Sequence, residues 1–254
     1  VGLHKKDSGE IIKNIDNENF NLTLNHEFED EIYSLNESIE AMHEYLLNNE
    51  SYKKQLYQNI SHDFKTPIAV IKSYIEAAED GIETNEDALK VIKEQTDKLE
   101  NKVHSLLYLN KLNYLKEQEN QLKARTNLAE VVATSVEKFK LIRPELTYKL
   151  DIDDKEMYRG TYDMWETIID NLLNNFMRYA KKEIKITIKN QKIVLFNDGE
   201  NIDKSIIDNI FTPYKKGLNG MFGLGLSIVK KTLELLNYSI TVDNVKNGVN
   251  FIIK

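Results

Sequence analysis

Four segments of the chain carry residue types able to act together on a phosphate. The first is Ser61-His62-Asp63-Phe64-Lys65-Thr66-Pro67. A neutral imidazole is a nucleophile near neutral pH. Asp63, beside His62, can accept the second ring proton or orient the ring. Thr66 sits one helical turn on and can position a water, and Pro67 loosens the helix just after the nucleophile. His4, His26, His43 and His104 have no such neighbourhood and read as ordinary surface or core residues.

The second segment runs from Asp170 to Tyr179. Asn171 and Asn175 are four apart and share one helix face, which Arg178 joins three residues later, while Leu172 and Leu173 point into a core. Amide oxygens can ligate Mg²⁺, and a neighbouring cation can take phosphate charge. An Asn-rich chain also places amides by chance, so this signal gains weight only beside the others. The third segment, Asn197-Asp198-Gly199-Glu200-Asn201-Ile202, follows a short apolar run read as a buried strand. Asp or Asn at such a strand end can accept a hydrogen bond from an adenine amino group, although Asp-Gly turns are common everywhere. The fourth begins at Phe211-Thr212-Pro213-Tyr214-Lys215-Lys216-Gly217 and passes Gly220 to Gly223-Leu224-Gly225-Leu226, where a helix opens at Ser227. Glycines let a backbone approach an anion closely, and the helix N-terminus adds partial positive charge. Lys215 and Lys216 supply countercharge.

The elements that must hold these segments follow from composition and periodicity. Of 254 residues only 10 are Gly and 3 are Pro, while 30% are charged. Scarce helix breakers in a charged chain predict long helices and argue against a β-sandwich or a collagen-like chain. No Cys is present, so disulfides and cysteine metal sites are excluded. The net charge of -7 argues against direct nucleic-acid binding. No apolar run reaches the length of a membrane span. Because the sequence starts at Val1 rather than Met, an upstream membrane sensor segment is expected to precede it.

Residues 1 to 21 are polar and Asn-rich and read as a tail. Ile32, Leu35, Ile39, Met42 and Leu46 are spaced 3, 4, 3 and 4, a heptad seam that continues through Asn49, Lys53, Leu56 and Ile60. The helix is expected to run to about Asp80, interrupted and kinked by Pro67, with Gly81 as its left-handed cap. Thr84 or Asn85 can cap a second helix bearing Ile92, Leu99, Val103, Leu106 and Leu109. Such a hairpin leaves its seams exposed, so two copies would make a four-helix bundle. Beyond Gln121 the character changes. Asn127 with Glu130 resembles a capping box, Leu146–Ile152, Ile184–Ile188, Ile193–Phe196 and Ser239–Val242 read as strands, and Tyr162–Tyr179 and Gly225–Leu236 as helices. The predicted fold class is therefore multidomain: an all-α dimerising helical hairpin followed by an α+β sandwich.

In this order and spacing, the four segments resemble the sensor histidine kinases of bacterial two-component systems: a HisKA-type phosphoacceptor hairpin followed by a GHKL-type ATP-binding domain. The resemblance covers roughly residues 50 to 254. Asp30 to Met42 is similar to the second helix of a HAMP signal relay. The resemblance implies three parts: 1–48 as tail and HAMP-like helix, 49–124 as dimerisation and phosphotransfer domain, and 125–254 as the ATP-binding domain. It implies that His62 is phosphorylated by ATP, with Asp63 as general base, and that Thr66 orients water for dephosphorylating a partner response regulator. Asn175 would hold Mg²⁺ with Asn171 beside it. Arg178 stands where the family usually has Lys. Tyr179, Asn197, Asp198, Gly199, Ile202, Lys216, Gly223, Leu224, Gly225 and Leu226 would line the nucleotide site. A homodimer, a cognate response regulator, and a place on the cytoplasmic side of a membrane protein are the implied setting.

Two departures from the family pattern stand out. Asn197 occupies the place of the family's adenine-binding Asp and Asn201 that of its second Gly, with Asp198 a substitute acceptor by a local shift. Only 11 residues separate Phe211 from Gly223, which predicts a short lid. Both bear on the strength of ATP binding. The rival readings are a gyrase-like ATPase, against which the His62 segment speaks, and a degenerate kinase acting as a regulator phosphatase or scaffold.

Overall fold

The computed structural model describes residues 30–213 and 224–254; for residues 30–49, 52, 53 and 55 it describes the backbone alone. The chain divides into two compact units, residues 1–66 and 67–254. Helix α1 (Asp30–Glu79) has Pro67 inside it. The expected run to about Asp80 is found, with Pro67 forfeiting one intrahelical bond inside it. The heptad positions Ile32 to Lys53 lie outside the described side chains. Farther along, Leu56 and Ile60 are half-buried, and Tyr57 is 67% exposed.

In the second unit, α1 ends at a left-handed glycine, Gly81, with φ 71°. Ile82 N–H donates to Ala77 O at 2.8 Å and Gly81 N–H to Ala78 O at 3.2 Å, the paired closure that satisfies the last carbonyls of a helix. Thr84, rather than Asn85, caps α2 (Asn85–Leu115), its hydroxyl accepting from Asp87 N–H at 3.1 Å. A short helix α3 (Glu119–Lys123) follows. Leu112 and Leu115 of α2 and Leu122 of α3 enter the same core as the elements that follow.

Those elements are β1 (Arg125–Asn127), α4 (Leu128–Ile142), β2 (Thr147–Ile152), β3 (Met157–Arg159), α5 (Tyr162–Tyr179), β4 (Glu183–Lys189), β5 (Lys192–Asn197), α6 (Lys204–Ile207), α7 (Gly225–Leu235), β6 (Ile240–Val245) and β7 (Gly248–Ile253). Asn127 caps α4 by accepting from Ala129 N–H at 2.8 Å. Strands β1 and β3 form a two-stranded antiparallel ribbon. The other five form one sheet in the order β2-β4-β5-β7-β6, with β2 parallel to β4 and the remaining pairs antiparallel.

One face of this sheet is apolar. Ile184, Ile186 and Ile188 of β4, Ile193 and Leu195 of β5, and Val249, Phe251 and Ile253 of β7 alternate inward and are buried. Opposite them, α5 presents Trp165, Ile168, Ile169, Leu172, Leu173 and Phe176, all fully buried and recurring every three or four residues. Each such side chain gains about 1.5–3 kcal/mol from leaving water. Helices over a sheet are the α+β layer that the sequence predicts. The reading missed β1, β3, β7 and α6, and ended β6 three residues early.

Candidate nucleotide and phosphoacceptor sites

His62 is exposed on α1 and Asp63 is half-buried. The Thr66 hydroxyl donates to the His62 carbonyl at 3.1 Å. Its proton is therefore held by the helix, while the oxygen lone pairs remain available to a water. An exposed imidazole flanked by a carboxylate suits an acceptor that must meet a large partner. Among the described residues no group of three or more His, Asp or Glu could hold a metal by itself.

The candidate nucleotide site draws on α5, the turn after β5 and the start of α7. Thr161 opens α5, its hydroxyl accepting from Met164 N–H at 3.4 Å. Along its outer face stand Asn171 and Asn175, both half-buried, with Arg178 and Tyr179 exposed at its end. Asn171 is hydrogen-bonded through its amide nitrogen and closely packed at its amide oxygen. Its nitrogen donates to Thr167 O at 2.7 Å. Its oxygen lies 2.7 Å from where a Cβ on Gly225 would stand. The structure thus brings Asn171 against the N-terminus of α7. Asn175, one turn farther and half-buried on the same face, could offer its amide oxygen to Mg²⁺. A single neutral oxygen suits a hard cation that takes its remaining ligands from phosphate and water.

At the end of β5, Asn197 is only 3% exposed. Its side-chain oxygen accepts from Gly199 N–H at 3.0 Å. A Cβ on Gly199 would lie 2.7 Å from Tyr179 O, so only glycine lets this turn pass beneath the end of α5. Asp198 behaves differently from expectation. Its carboxylate accepts from Lys181 N–H at 2.8 Å and Lys182 N–H at 2.9 Å. Burial raises its pKa, but the backbone donors of Lys182, Glu183 and Lys181 outweigh that and hold the carboxyl below the ordinary range. Asp198 therefore tethers the α5–β4 turn, and the expectation that it substitutes for Asn197 is corrected.

Leu224 and Leu226 are each 6% exposed, and Leu226 belongs to the hydrophobic core. Ser227 Oγ donates to Leu224 O at 2.7 Å. The leucine side chains support the start of α7, which leaves backbone as the part of this segment able to meet a phosphate. Lys216 and Gly223, with Lys215, Gly217 and Gly220, lie outside the described residues. Ile202 is half-buried and gripped by a residue the sequence reading missed. Its N–H donates to Asn244 Oδ1 at 2.8 Å, and its carbonyl accepts from Asn244 Nδ2 at 2.6 Å. No local signal marks Asn244, because its partner is 42 residues away.

Comparison with known proteins identifies the family. The family described as His Kinase A (phospho-acceptor) domain matches residues 52–115. The family described as histidine kinase-, DNA gyrase B-, and HSP90-like ATPase matches residues 160–254. The sensor histidine kinase CssS of Bacillus subtilis is 36% identical over 247 residues, covering 94% of this chain and 54% of the relative. The sensor protein kinase WalK of Staphylococcus aureus is 25% identical over 216 residues, covering 78% of this chain and 52% of the relative. The chain thus spans about half the length of these curated relatives. Among solved structures, the Acinetobacter baumannii histidine kinase AdeS superposes with a TM-score of 0.60 at 23% identity, covering 76% of this chain and 95% of that one. Histidine kinase ThkA, solved in complex with response regulator protein TrrA, gives 0.60 at 20% identity, covering 81% of this chain and 62% of that one. These two likenesses are ones of fold. With both family matches in chain order around the geometry above, the chain belongs to the two-component sensor histidine kinases, of which it carries the phosphoacceptor hairpin and the ATPase domain.

Proposed function

We propose that this chain uses ATP to phosphorylate His62 and passes the phosphoryl group to an aspartate of a separate response regulator. The observation that carries the proposal is the exposed His62, followed by Asp63 and Thr66, in a chain whose residues 160–254 match an ATPase family. A ring nitrogen of His62 attacks the γ-phosphorus, the bond from that phosphorus to the bridging oxygen breaks, and ADP leaves with the electron pair. Asp63 accepts or orients the proton on the other ring nitrogen. Phosphoryl transfer of this kind depends on positioning and on neutralising charge. Arg178 and the backbone at the start of α7 neutralise the phosphates, and Asn197, Gly199 and Ile202 hold the base. Asn175 would hold Mg²⁺ beside the phosphates, and the ion would supply further charge neutralisation. Thr66 positions water for dephosphorylating the regulator.

The parts 1–48, 49–124 and 125–254 serve as signal input, phosphotransfer and ATP binding. A homodimer is supported by the apolar side chains that the hairpin leaves in water: Ile68 at 46%, Ile75 at 42%, Leu89 at 65%, Val103 at 42% and Leu107 at 59% exposed. Ile68 and Ile75 are one heptad apart, and Leu89 and Val103 two, as a bundle seam requires. The HAMP-like reading of residues 30 to 42 and the setting beneath a membrane sensor rest on the sequence pattern. No helix among the described residues is long and apolar enough to cross a membrane. Transfer of label from γ-labelled ATP to the chain, and from the chain to a regulator, tests the proposal.

A further inference from the structure

We infer that the β6–β7 hairpin positions the base-holding turn of the nucleotide site, with Asn244 and Asn201 as its positioning residues; this rests on the nucleotide reading above. The sheet register places Asn197 of β5 opposite Val249 of β7, and Val249 opposite Asn244 of β6. Residues directly opposite in antiparallel strands share a face. Asn197 and Asn244 therefore flank Val249 in one row on the face that α5 covers. The chain leaving Asn197 crosses this row, and Asn244 grips it by both polar groups of the Ile202 backbone, at 2.8 and 2.6 Å. The side chain thus acts as a short extra strand edge for Ile202.

The tip of the hairpin adds two further contacts. With its amide nitrogen facing the turn, Asn201 donates to Gly248 O at 2.9 Å and Val245 O at 3.1 Å. Gly248 itself, at φ 152°, packs so closely that a Cβ there would lie 2.1 Å from Asn197 O. Asn201 stands where the sequence resemblance expects a glycine. The structure gives it a reason: a loop that a glycine would leave free to turn is here tied to the neighbouring strands. The three contacts hold Asn197 and Ile202, the two ends of the turn, while contributing no group to the phosphate end of the site.

The test uses the full chain with ATP and inorganic tripolyphosphate as separate probes, both with Mg²⁺. Asn244→Ala is expected to weaken ATP binding about tenfold, through the loss of two hydrogen bonds that fix the turn. Tripolyphosphate affinity should stay within about twofold, because the phosphate end is untouched. The KM for ATP should rise while the rate at saturating ATP holds, and Asn244→Gln should recover part of the loss. Asn201→Ala, which leaves the Ile202 grip in place, should move ATP affinity in the same direction by less and serves if Asn244→Ala does not fold. Unchanged ATP affinity in both alanine variants overturns the inference, as does an equal weakening of ATP and tripolyphosphate. Failure of the unaltered chain to bind ATP overturns the nucleotide reading and this inference with it.

Discussion

The side-chain oxygen of Asn171 lies 2.7 Å from the point where Gly225 would carry a Cβ. Helix α5 and the N-terminus of α7 meet there, and a methyl group on Gly225 would displace the end of the Asn171 side chain. The two residues are 54 apart in sequence and fall in two different candidate motifs. Their contact fixes the distance between the amide face of α5 and the helix end that would receive phosphates.

Gly225→Ala forces Asn171 to move. The atom that must move is the far end of the Asn171 side chain, and alanine is the better helix former, so we expect stability to change by no more than about 1 kcal/mol. ATP affinity should fall by more than stability alone explains, because the Asn171 amide is displaced. Thermal unfolding together with nucleotide titration checks both effects. Unchanged ATP affinity would mean that the α5–α7 contact is not fixed as described.

Asn197→Asp should tighten ATP binding. The Gly199 N–H keeps an acceptor, and the new carboxylate offers a charged oxygen to the adenine amino group. The gain of a charged over a neutral hydrogen bond is about 1 kcal/mol, roughly fivefold in affinity. The same change buries a charge at a position only 3% exposed, so the nucleotide-free protein should melt lower. Calorimetric titration and a melting curve without ligand separate the two.

Asp198→Asn removes the negative charge that accepts from Lys181 and Lys182. The expected cost is about 1–3 kcal/mol at neutral pH. The native carboxyl is held below its ordinary range. Its contribution is thus present above the unfolded carboxyl pKa and is lost as pH falls through the depressed native value. The stability gap between wild type and variant should close on acidification. A gap that stays constant with pH would contradict the tether.

Much of this arrangement was legible in the sequence, and the reasons are local. Tyr162–Tyr179 was read with both ends correct because its buried residues recur at helical spacing. Gly81 was read as a cap because a lone glycine after a long periodic run has few other uses. The end of β6 was lost because Asp243-Asn244 looks like a turn, whereas the chain turns at Lys246-Asn247. Val249, Phe251 and Ile253 alternate as a strand should, but an inner strand is recognised only once its neighbours are placed. Asp198 and Asn244 were misjudged or missed for the same reason. Their partners are backbone groups 16 and 42 residues away, which no spacing rule reveals.

Phosphorylation of the full chain from γ-labelled ATP, with and without His62→Gln, tests the central claim most directly. The account predicts label that is lost in acid and retained in base, as a phosphorus–nitrogen bond requires, and no label in the variant although it still binds ATP. Equal labelling of His62→Gln, or label that survives acid, would contradict it.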